Sequence, residues 1–94
     1  MDLRFYIDPE SGAPHIFNHG VTEQEVQEVL SRRGEDLAGN RGSRQKLGQT
    51  ESGRYLKVIY VPDQDPQSAL VITAYELRGK AKKAYRKRQR RKRR

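Results

Sequence analysis

The chain begins with apolar residues at alternating positions and continues with apolar residues at helical spacing. Residues 3–7, LRFYI, alternate as a short strand does. Asp8 and Pro9 fit an N-cap and a first helical residue, and Gly12 would keep any helix here short or broken. Gly20 suits the position just past a helix end, where positive φ is cheap for glycine. This segment therefore predicts a strand followed by a short helix.

The next segment, VTEQEVQEVL at residues 21–30, carries the strongest helix signal in the chain. Thr22 and Glu25 have the spacing of a capping box, in which each side chain bonds the backbone amide of the other residue. Val21 and Val26 have the spacing of a hydrophobic staple across the same helix start. Apolar positions then continue on one helical face up to residue 30. The pattern predicts a helix over residues 23–32.

The remaining apolar runs predict three strands and a docked C-terminal helix. Residues 34–43, GEDLAGNRGS, contain three glycines and little to bury, which predicts a mobile loop. Residues 43–50 and 54–61 fit the two strands of a hairpin. Residues 69–77 are apolar on both faces, as in the middle of a sheet. Beyond residue 78, only Ala81, Ala84 and Tyr85 can pack, so one or two helical turns are expected there.

This order of elements predicts one α+β domain over residues 1–88. Its small antiparallel sheet consists of the three-strand meander plus the N-terminal strand, and it is covered on one face. Two N-terminal helices and a basic C-terminal helix complete the domain. Residues 89–94 are predicted to be a disordered basic tail, because their like charges repel one another.

Charge divides the chain into an acidic body and a basic end. From Arg78 to Arg94 there are 12 Lys or Arg and no acid, whereas residues 1–77 hold 8 Lys or Arg against 12 Asp or Glu, a net charge of −4. The net charge of +8 for the whole chain therefore belongs to its end. Such a distribution favours a nucleic acid or an acidic protein as the partner and says nothing about the fold.

Composition excludes several kinds of site. The chain has no cysteine and only two histidines, which excludes disulfides and a zinc site rich in nitrogen and sulfur. Its first ten residues lack the features of a secretory signal, and no apolar run approaches the roughly 20 residues that cross a bilayer. Neither a GxxxxGK[ST] nor a GxSxG motif occurs. The sequence predicts a cytoplasmic protein that needs no metal, cofactor or membrane.

Residues 5–30, FYIDPESGAPHIFNHGVTEQEVQEVL, resemble the opening of the BrnT-like toxins. In that family a short strand ends in Asp, a short helix ends in a His-Gly-Val turn, and an amphipathic helix follows. The resemblance continues through GRYLKVIY at residues 53–60 and through the apolar strand and basic segment at residues 70–88. It implies a small RelE-like fold.

The resemblance also implies a type II toxin that cleaves RNA and stops translation. Its implied partners are RNA, with or without the ribosome, a cognate antitoxin that blocks it, and operator DNA bound only through the antitoxin complex. Residue by residue, the match falls on five positions: Asp8, His19, Arg44, Gly48 and Tyr85.

Two positions depart from the family pattern. A lysine commonly follows the aspartate there, whereas ESGAP follows Asp8 here. An arginine usually lies near the end of the last strand, where this chain has Tyr75. Arg78 or Lys80 could replace the missing cation.

Each candidate catalytic residue also has a structural interpretation. Cleavage by 2′-hydroxyl attack needs a base, an acid and a cation on the phosphate, but no metal. His19 could transfer protons or cap the short helix. Arg44 could grip a phosphate with its guanidinium or pair with a nearby carboxylate. Tyr85 and Tyr75 could donate a proton or stack on a base, but Tyr85 fits better as the residue that holds the C-terminal helix on the sheet.

The sequence thus predicts a small ribonuclease toxin with His19, Arg44 and Tyr85 as candidate catalytic residues. The alternatives are a non-catalytic nucleic-acid-binding module on the same scaffold and, third, a basic protein that binds an acidic protein. The candidate nucleic-acid-binding residues lie in the basic end, whose charge would hold a phosphate backbone without reading its sequence. They are Arg78, Lys80, Lys82, Lys83, Arg86, Lys87 and Arg88.

Overall fold

A computed structural model describes residues 2–65 and 67–92. The strands are β1 (Asp2–Phe5), β2 (Gly34–Ala38), β3 (Arg44–Gln49), β4 (Tyr55–Pro62) and β5 (Ser68–Glu76). The helices are a 3-10 helix (His15–His19), α1 (Glu23–Ser31) and α2 (Gly79–Lys92). The strands form one sheet in the order β1-β5-β4-β3-β2.

The sheet is mixed because its two edges come from opposite ends of the chain. Strands β2 to β5 form an antiparallel meander, and its last strand pairs in parallel with β1, opposite Leu3 and Phe5. The α+β class is confirmed. The purely antiparallel four-strand sheet was wrong, because the chain adds β2 at one edge and lays β1 parallel at the other.

The helix start at Thr22 was predicted correctly. Its hydroxyl accepts from the Glu25 amide, and the Glu25 carboxylate accepts from the Thr22 amide. Val21 and Val26 are both buried in the main core, as the staple requires. The first helix differs from the prediction. Residues 8–12 form a turn, and only a 3-10 helix at residues 15–19 follows, ended by Gly20 at φ 69°.

The segment predicted as a mobile loop contains strand β2, so that prediction was wrong. Gly34 pairs with Gly48, and a Cβ at Gly34 would overlap the carbonyl oxygen of Leu47. Glycine is present here because β2 approaches β3 too closely for a side chain. The glycine that suggested a loop therefore permits the strand.

The sheet is covered on both faces, not on one as predicted. Successive side chains along β4 point to opposite faces. Leu56 and Val58 belong to the main core under the 3-10 helix and α1, whereas Tyr55 packs against a second cluster of Leu47, Leu77 and Tyr85. Helix α2 therefore lies on the face opposite α1.

Helix α2 is also longer than the one or two turns expected. It extends through residues 89–92, part of the predicted disordered tail, while residues 93 and 94 lie outside the described part. The Glu35 carboxylate pairs with Arg88, and Gln89 and Lys92 help to lower its pKa. This carboxylate offsets part of the repulsion that the sequence pattern predicted would unfold the segment.

We expect the two close-packed glycines to differ in their tolerance of alanine. Gly34→Ala would push against a backbone carbonyl and should cost about 3 kcal/mol, whereas Gly48→Ala meets a Val29 methyl group at 3.0 Å that can shift, and should cost about 1 kcal/mol. For a domain of this size the melting temperatures should fall by roughly 12–24 °C and 4–8 °C. Thermal melts followed by circular dichroism measure both. A Gly34→Ala protein that melts with the parent would show that residues 34–38 are a loop.

Candidate functional site

Five side chains form a continuous row at the β5 side of the sheet, which we call the histidine row: Tyr6, His15, His19, Tyr75 and Lys57. Neighbouring rings meet edge to face, with centroids 6.3 Å apart for Tyr6 and His15, 5.2 Å for the two histidines and 6.0 Å for His19 and Tyr75. The Lys57 ammonium lies 6.0 Å from the Tyr75 ring centre. Two imidazoles, two phenols and a cation therefore share one surface.

The 3-10 helix places both histidines in this row. It packs beside β5 and buries Ile16 in the main core. Gly20 ends it in the left-handed conformation, with its amide bonded to the Phe17 carbonyl. Within the described residues, the ring nitrogens of His19 make no hydrogen bond to a protein group, so the ring does not cap the helix. Its imidazole remains accessible for proton transfer.

Asp8 holds the other histidine. Its Oδ2 lies 3.2 Å from His15 Nδ1 and accepts from the Asn18 amide at 2.7 Å. Its Oδ1 accepts from the Glu10 backbone amide. The hydrogen bond from the Glu10 amide, then those from Asn18 and His15, lower the pKa of Asp8, so this carboxylate is ionised at neutral pH. The carboxylate lies beside Nδ1 and therefore fixes the orientation of the His15 ring.

One register row of the sheet connects the histidine row with helix α2. Tyr75 pairs with Lys57, Lys57 with Leu47, and Leu47 with Glu35. Directly opposite residues share a face, so all four side chains lie on the face that carries α2. Three strand spacings of about 4.8 Å separate β5 from β2, a span of roughly 14 Å. The two regions therefore lie within reach of one extended ligand.

Helix α2 is held on this face by a ring and an ion pair. Tyr85 is 3% exposed and packs with Leu47 and Leu77. Arg88 donates from Nε and Nη2 to the Glu35 carboxylate at 2.6 and 2.8 Å. These bonds, against the opposing effect of burial, lower the pKa of Glu35. The bidentate pair fixes the rotation of the helix as well as its position.

The candidate nucleic-acid-binding cations divide between this contact and solvent. Lys82 and Arg86 lie over the Tyr55 ring, with Lys82 Nζ 5.3 Å and Arg86 Cζ 5.8 Å from its centre. Arg88 is taken up by Glu35, and Arg78 lies 3.9 Å from Glu76. The others are exposed on the outer side of α2 or at its start: Lys80, Lys83 and Lys87.

The three candidate catalytic residues occupy three separate clusters. His19 lies in the histidine row. Arg44 donates to the Asp36 carboxylate at 2.7 Å. This is the pairing with a nearby carboxylate that was its structural interpretation. Asp36 also accepts from the Tyr60 hydroxyl, and burial and this carboxylate raise the pKa of Tyr60 to about 12. Tyr85 is buried under α2, as its structural interpretation expected.

Sequence reasoning missed His15 and Lys57. His15 had no motif around it, although its spacing from Asp8 and His19 in a Gly- and Pro-bounded segment could have suggested one short turn carrying all three. Lys57 is visible only through strand register, because its neighbour Tyr75 is 18 positions away. Asp8, assigned through the family resemblance, does lie beside the row.

Comparisons with protein-family models, with curated proteins and with solved structures give no match to this chain. The BrnT-like resemblance therefore stays a prediction. Within residues 2–65 and 67–92, no three His, Cys, Asp or Glu side chains converge as metal ligands do. No helix in the same residues is long and apolar enough to cross a membrane.

We expect the Glu35–Arg88 pair to make the docking of α2 depend on acidity. Because the pKa of Glu35 is lowered below its usual 4.5, its contribution is fully present above about pH 4.5 and is lost as the pH falls through the folded-state value. Glu35→Gln should cost about 1.5–3 kcal/mol at pH 7, the range for hydrogen bonds to charged groups. Urea unfolding at pH 7 and pH 3 should show the difference between parent and variant shrinking at pH 3.

The matched control is Arg4→Gln, which removes the Arg4–Asp63 pair at 2.7 Å. Because the Arg4 side chain is 60% exposed, its loss should cost under about 1 kcal/mol. Equal costs for the two variants would mean that Glu35 does not dock the helix.

Proposed function

We propose that the protein is a metal-free endoribonuclease whose acid and base are the two histidines of the histidine row. The observation that carries this proposal is the 5.2 Å separation of the His15 and His19 rings, with the Asp8 carboxylate on one side and the Lys57 ammonium beyond Tyr75 on the other. A base, an acid and a cation are the three groups that 2′-hydroxyl attack requires.

The reaction transfers one proton at each end. His19 removes the proton from the 2′-hydroxyl, O2′ forms a bond to phosphorus, and the bond from phosphorus to O5′ breaks. The imidazolium of His15 donates its proton to the leaving O5′, and the products are a 2′,3′-cyclic phosphate and a 5′-hydroxyl. The Lys57 ammonium lies beyond the Tyr75 ring, so it adds positive potential to the site and is not placed as a direct contact of the phosphoryl oxygens.

Asp8 and Asn18 position the acid. In the imidazolium form that the step requires, His15 Nδ1–H donates to the Asp8 carboxylate 3.2 Å away, and the proton on Nε2 is the one available for transfer. Asn18 donates to the same carboxylate oxygen and fixes its orientation. Such a carboxylate orients the ring and stabilises its charged form without taking the proton itself.

The cations of α2 support the proposal by providing affinity for the substrate. They lie on the same sheet face as Lys57 and Tyr75, roughly 14 Å across the strands. An RNA strand that crosses this face would neutralise them while its scissile phosphate lies at the histidines.

The physiological role that we propose comes from the resemblance to BrnT-like toxins. On a RelE-like fold, cleavage would stop translation in the cytoplasm, and a cognate antitoxin would block the protein and take part in operon repression. Induced expression with and without a neighbouring antitoxin gene tests this role through growth and total RNA integrity.

A non-catalytic nucleic-acid-binding module is the second candidate. The separation of His19, Arg44 and Tyr85 into three clusters favours it, because the set implied by the resemblance does not form one site. Binding without cleavage would leave the histidine row as a structural contact between the 3-10 helix and β5.

We expect His15→Ala and His19→Ala each to slow cleavage of an oligoribonucleotide by about 10²–10⁴-fold, the usual cost of a lost general acid or base. The parent should give a bell-shaped dependence of kcat/KM on pH, and each variant should lose one limb of the bell. Circular dichroism should show both variants folded. Rates from labelled RNA on denaturing gels, measured across pH 5 to 8, decide the assignment.

Two controls sharpen this test. A substrate with a 2′-O-methyl group at the cut should bind but resist cleavage, since it lacks the attacking hydroxyl. Arg44→Gln, which breaks the surface pair with Asp36, should cleave at the parent's rate. If Arg44→Gln abolishes cleavage and His15→Ala does not, the site lies elsewhere. If the parent cleaves no RNA, alone or with ribosomes, the binding module takes its place.

A further inference from the structure

An open groove of about 1170 Å³ runs between helix α2 and the turn that joins α1 to β2. One wall carries Arg32 and Arg33, and the opposite wall carries the C-terminal half of α2. Six cations line this basic groove: Arg32, Arg33, Lys46, Arg86, Arg90 and Lys92. Its cations thus come from three separate parts of the chain.

The positive charge in the groove exceeds the negative charge around it. No Asp or Glu is among the groove's lining residues, and within residues 2–65 and 67–92 none of its six cations takes part in an ion pair. Two nearby carboxylates already bind arginines: Glu35 pairs with Arg88 and also interacts with Lys92, and Asp36 pairs with Arg44 and also interacts with Lys46. Other cations of the protein do have carboxylate partners, including Arg4, Arg44 and Arg54.

Lys46 is the half-buried cation of the groove, whereas the other five are exposed. The absence of a side chain at Gly34 leaves room for the Lys46 stem, whose Cε lies 3.0 Å from the position a Cβ would take. Its ammonium donates to the Arg32 carbonyl at 2.9 Å. Burial lowers the pKa of this ammonium, so an anion bound nearby would strengthen its charged form.

We propose that this groove binds the phosphate backbone of the RNA, an inference that rests on the RNA-binding part of the proposed function. Four of the six cations are arginines, whose planar guanidinium matches phosphate oxygens in bidentate fashion. Among the described residues, none that lines the groove has an aliphatic side chain, whereas the centre of a protein–protein interface is usually apolar. A polar, strongly positive surface is typical of nucleic-acid contacts.

The groove reads phosphates and not bases. Tyr85 is 3% exposed, so its ring offers no platform for stacking. The Tyr55 ring is already covered by Lys82 and Arg86. With both aromatic rings occupied, the remaining contacts are charge contacts, which position a strand without selecting its sequence. Binding is therefore expected to tolerate changes of base.

The test is binding of a labelled 2′-O-methyl oligoribonucleotide, which removes cleavage from the measurement. Arg32→Gln with Arg33→Gln removes two phosphate contacts, which should lower the slope of log K against log salt by about 1.4 and affinity at about 50 mM salt by roughly 60-fold. Arg90→Gln with Lys92→Gln, on the opposite wall, should give a similar loss. Circular dichroism checks that each variant is folded.

The matched control is Arg4→Gln with Arg41→Gln, two exposed cations outside α2 that do not line the groove. This pair should change affinity less than about threefold. Equal losses in all three double variants would overturn the groove and leave diffuse attraction to a positively charged protein. Tighter binding of an acidic peptide of equal charge, sensitive to Arg32 and Arg33, would also overturn it in favour of a protein partner.

The ribonuclease and the groove fail separately in this design. Groove variants that lose affinity, beside a parent that never cleaves unmodified RNA, would support the groove and end the ribonuclease proposal. If the parent cleaves through its histidines while the groove variants bind and cleave normally, the ribonuclease proposal is supported and the groove proposal is overturned.

Discussion

The guanidinium of Arg54 holds together the elements on which the histidine row depends. It donates to both carboxylate oxygens of Glu25 at the start of α1, to the carbonyl of Gly20 at the end of the 3-10 helix, and to Glu76 at the end of β5. The hydrogen bonds of Glu25 raise the pKa of Arg54 and keep this side chain charged. Because His19 precedes Gly20 and Tyr75 precedes Glu76, one arginine fixes the relative position of both rings. Glu25 at the same time closes the capping box of α1. The geometry of the candidate site is thus tied to the most strongly encoded helix start in the chain.

Six of the 12 carboxylates of the acidic body lie in internal ion pairs, which changes the meaning of its net charge of −4. Asp8 binds His15 and Asn18, Glu35 binds Arg88, and Asp63 binds Arg4 and Ser68. The pKa of each of these carboxyl groups is lowered by its hydrogen bonds. The cations of the groove and of the outer side of α2 have no such partners within the described residues. Charge in this protein is separated by pairing as well as by position along the chain: within the described residues, the cations outside ion pairs outnumber the acids outside ion pairs.

Residue spacing in the sequence correctly predicted the structural features that depend on short-range interactions. The capping box at Thr22 and Glu25, the hairpin of β3 and β4, and the buried strand β5 follow from spacing and alternation. The features that were predicted wrongly depend on contacts between residues far apart in the sequence. Gly34 was predicted to lie in a loop because the close approach of Leu47 cannot be seen in the sequence. The length of α2 depends on Glu35, which lies 53 positions before its partner Arg88. For the site, His19 was identified as a candidate from its chemistry, but its partner Tyr75 and the cation Lys57 meet only through the fold. Arg44 and Tyr85 were reasonable candidates, but their contacts stabilise the fold. Arg44 binds Asp36, and Tyr85 packs with Leu47 and Leu77.

Strand β2, the element that the sequence pattern concealed, supports both walls of the basic groove. Arg32 and Arg33 directly precede it, Gly34 makes room for Lys46, and Glu35 anchors the opposite wall through Arg88. An edge strand normally invites pairing with another chain, and natural sheets limit this by keeping such strands short and charged. Here β2 is five residues long and carries Glu35 and Asp36, each bound to an arginine. The two acids that protect this edge also bind arginines. Glu35 binds Arg88 and so holds α2 on the sheet, and Asp36 binds Arg44 of the neighbouring strand β3. The cations that line the groove remain outside these pairs, and this leaves them available for a phosphate backbone.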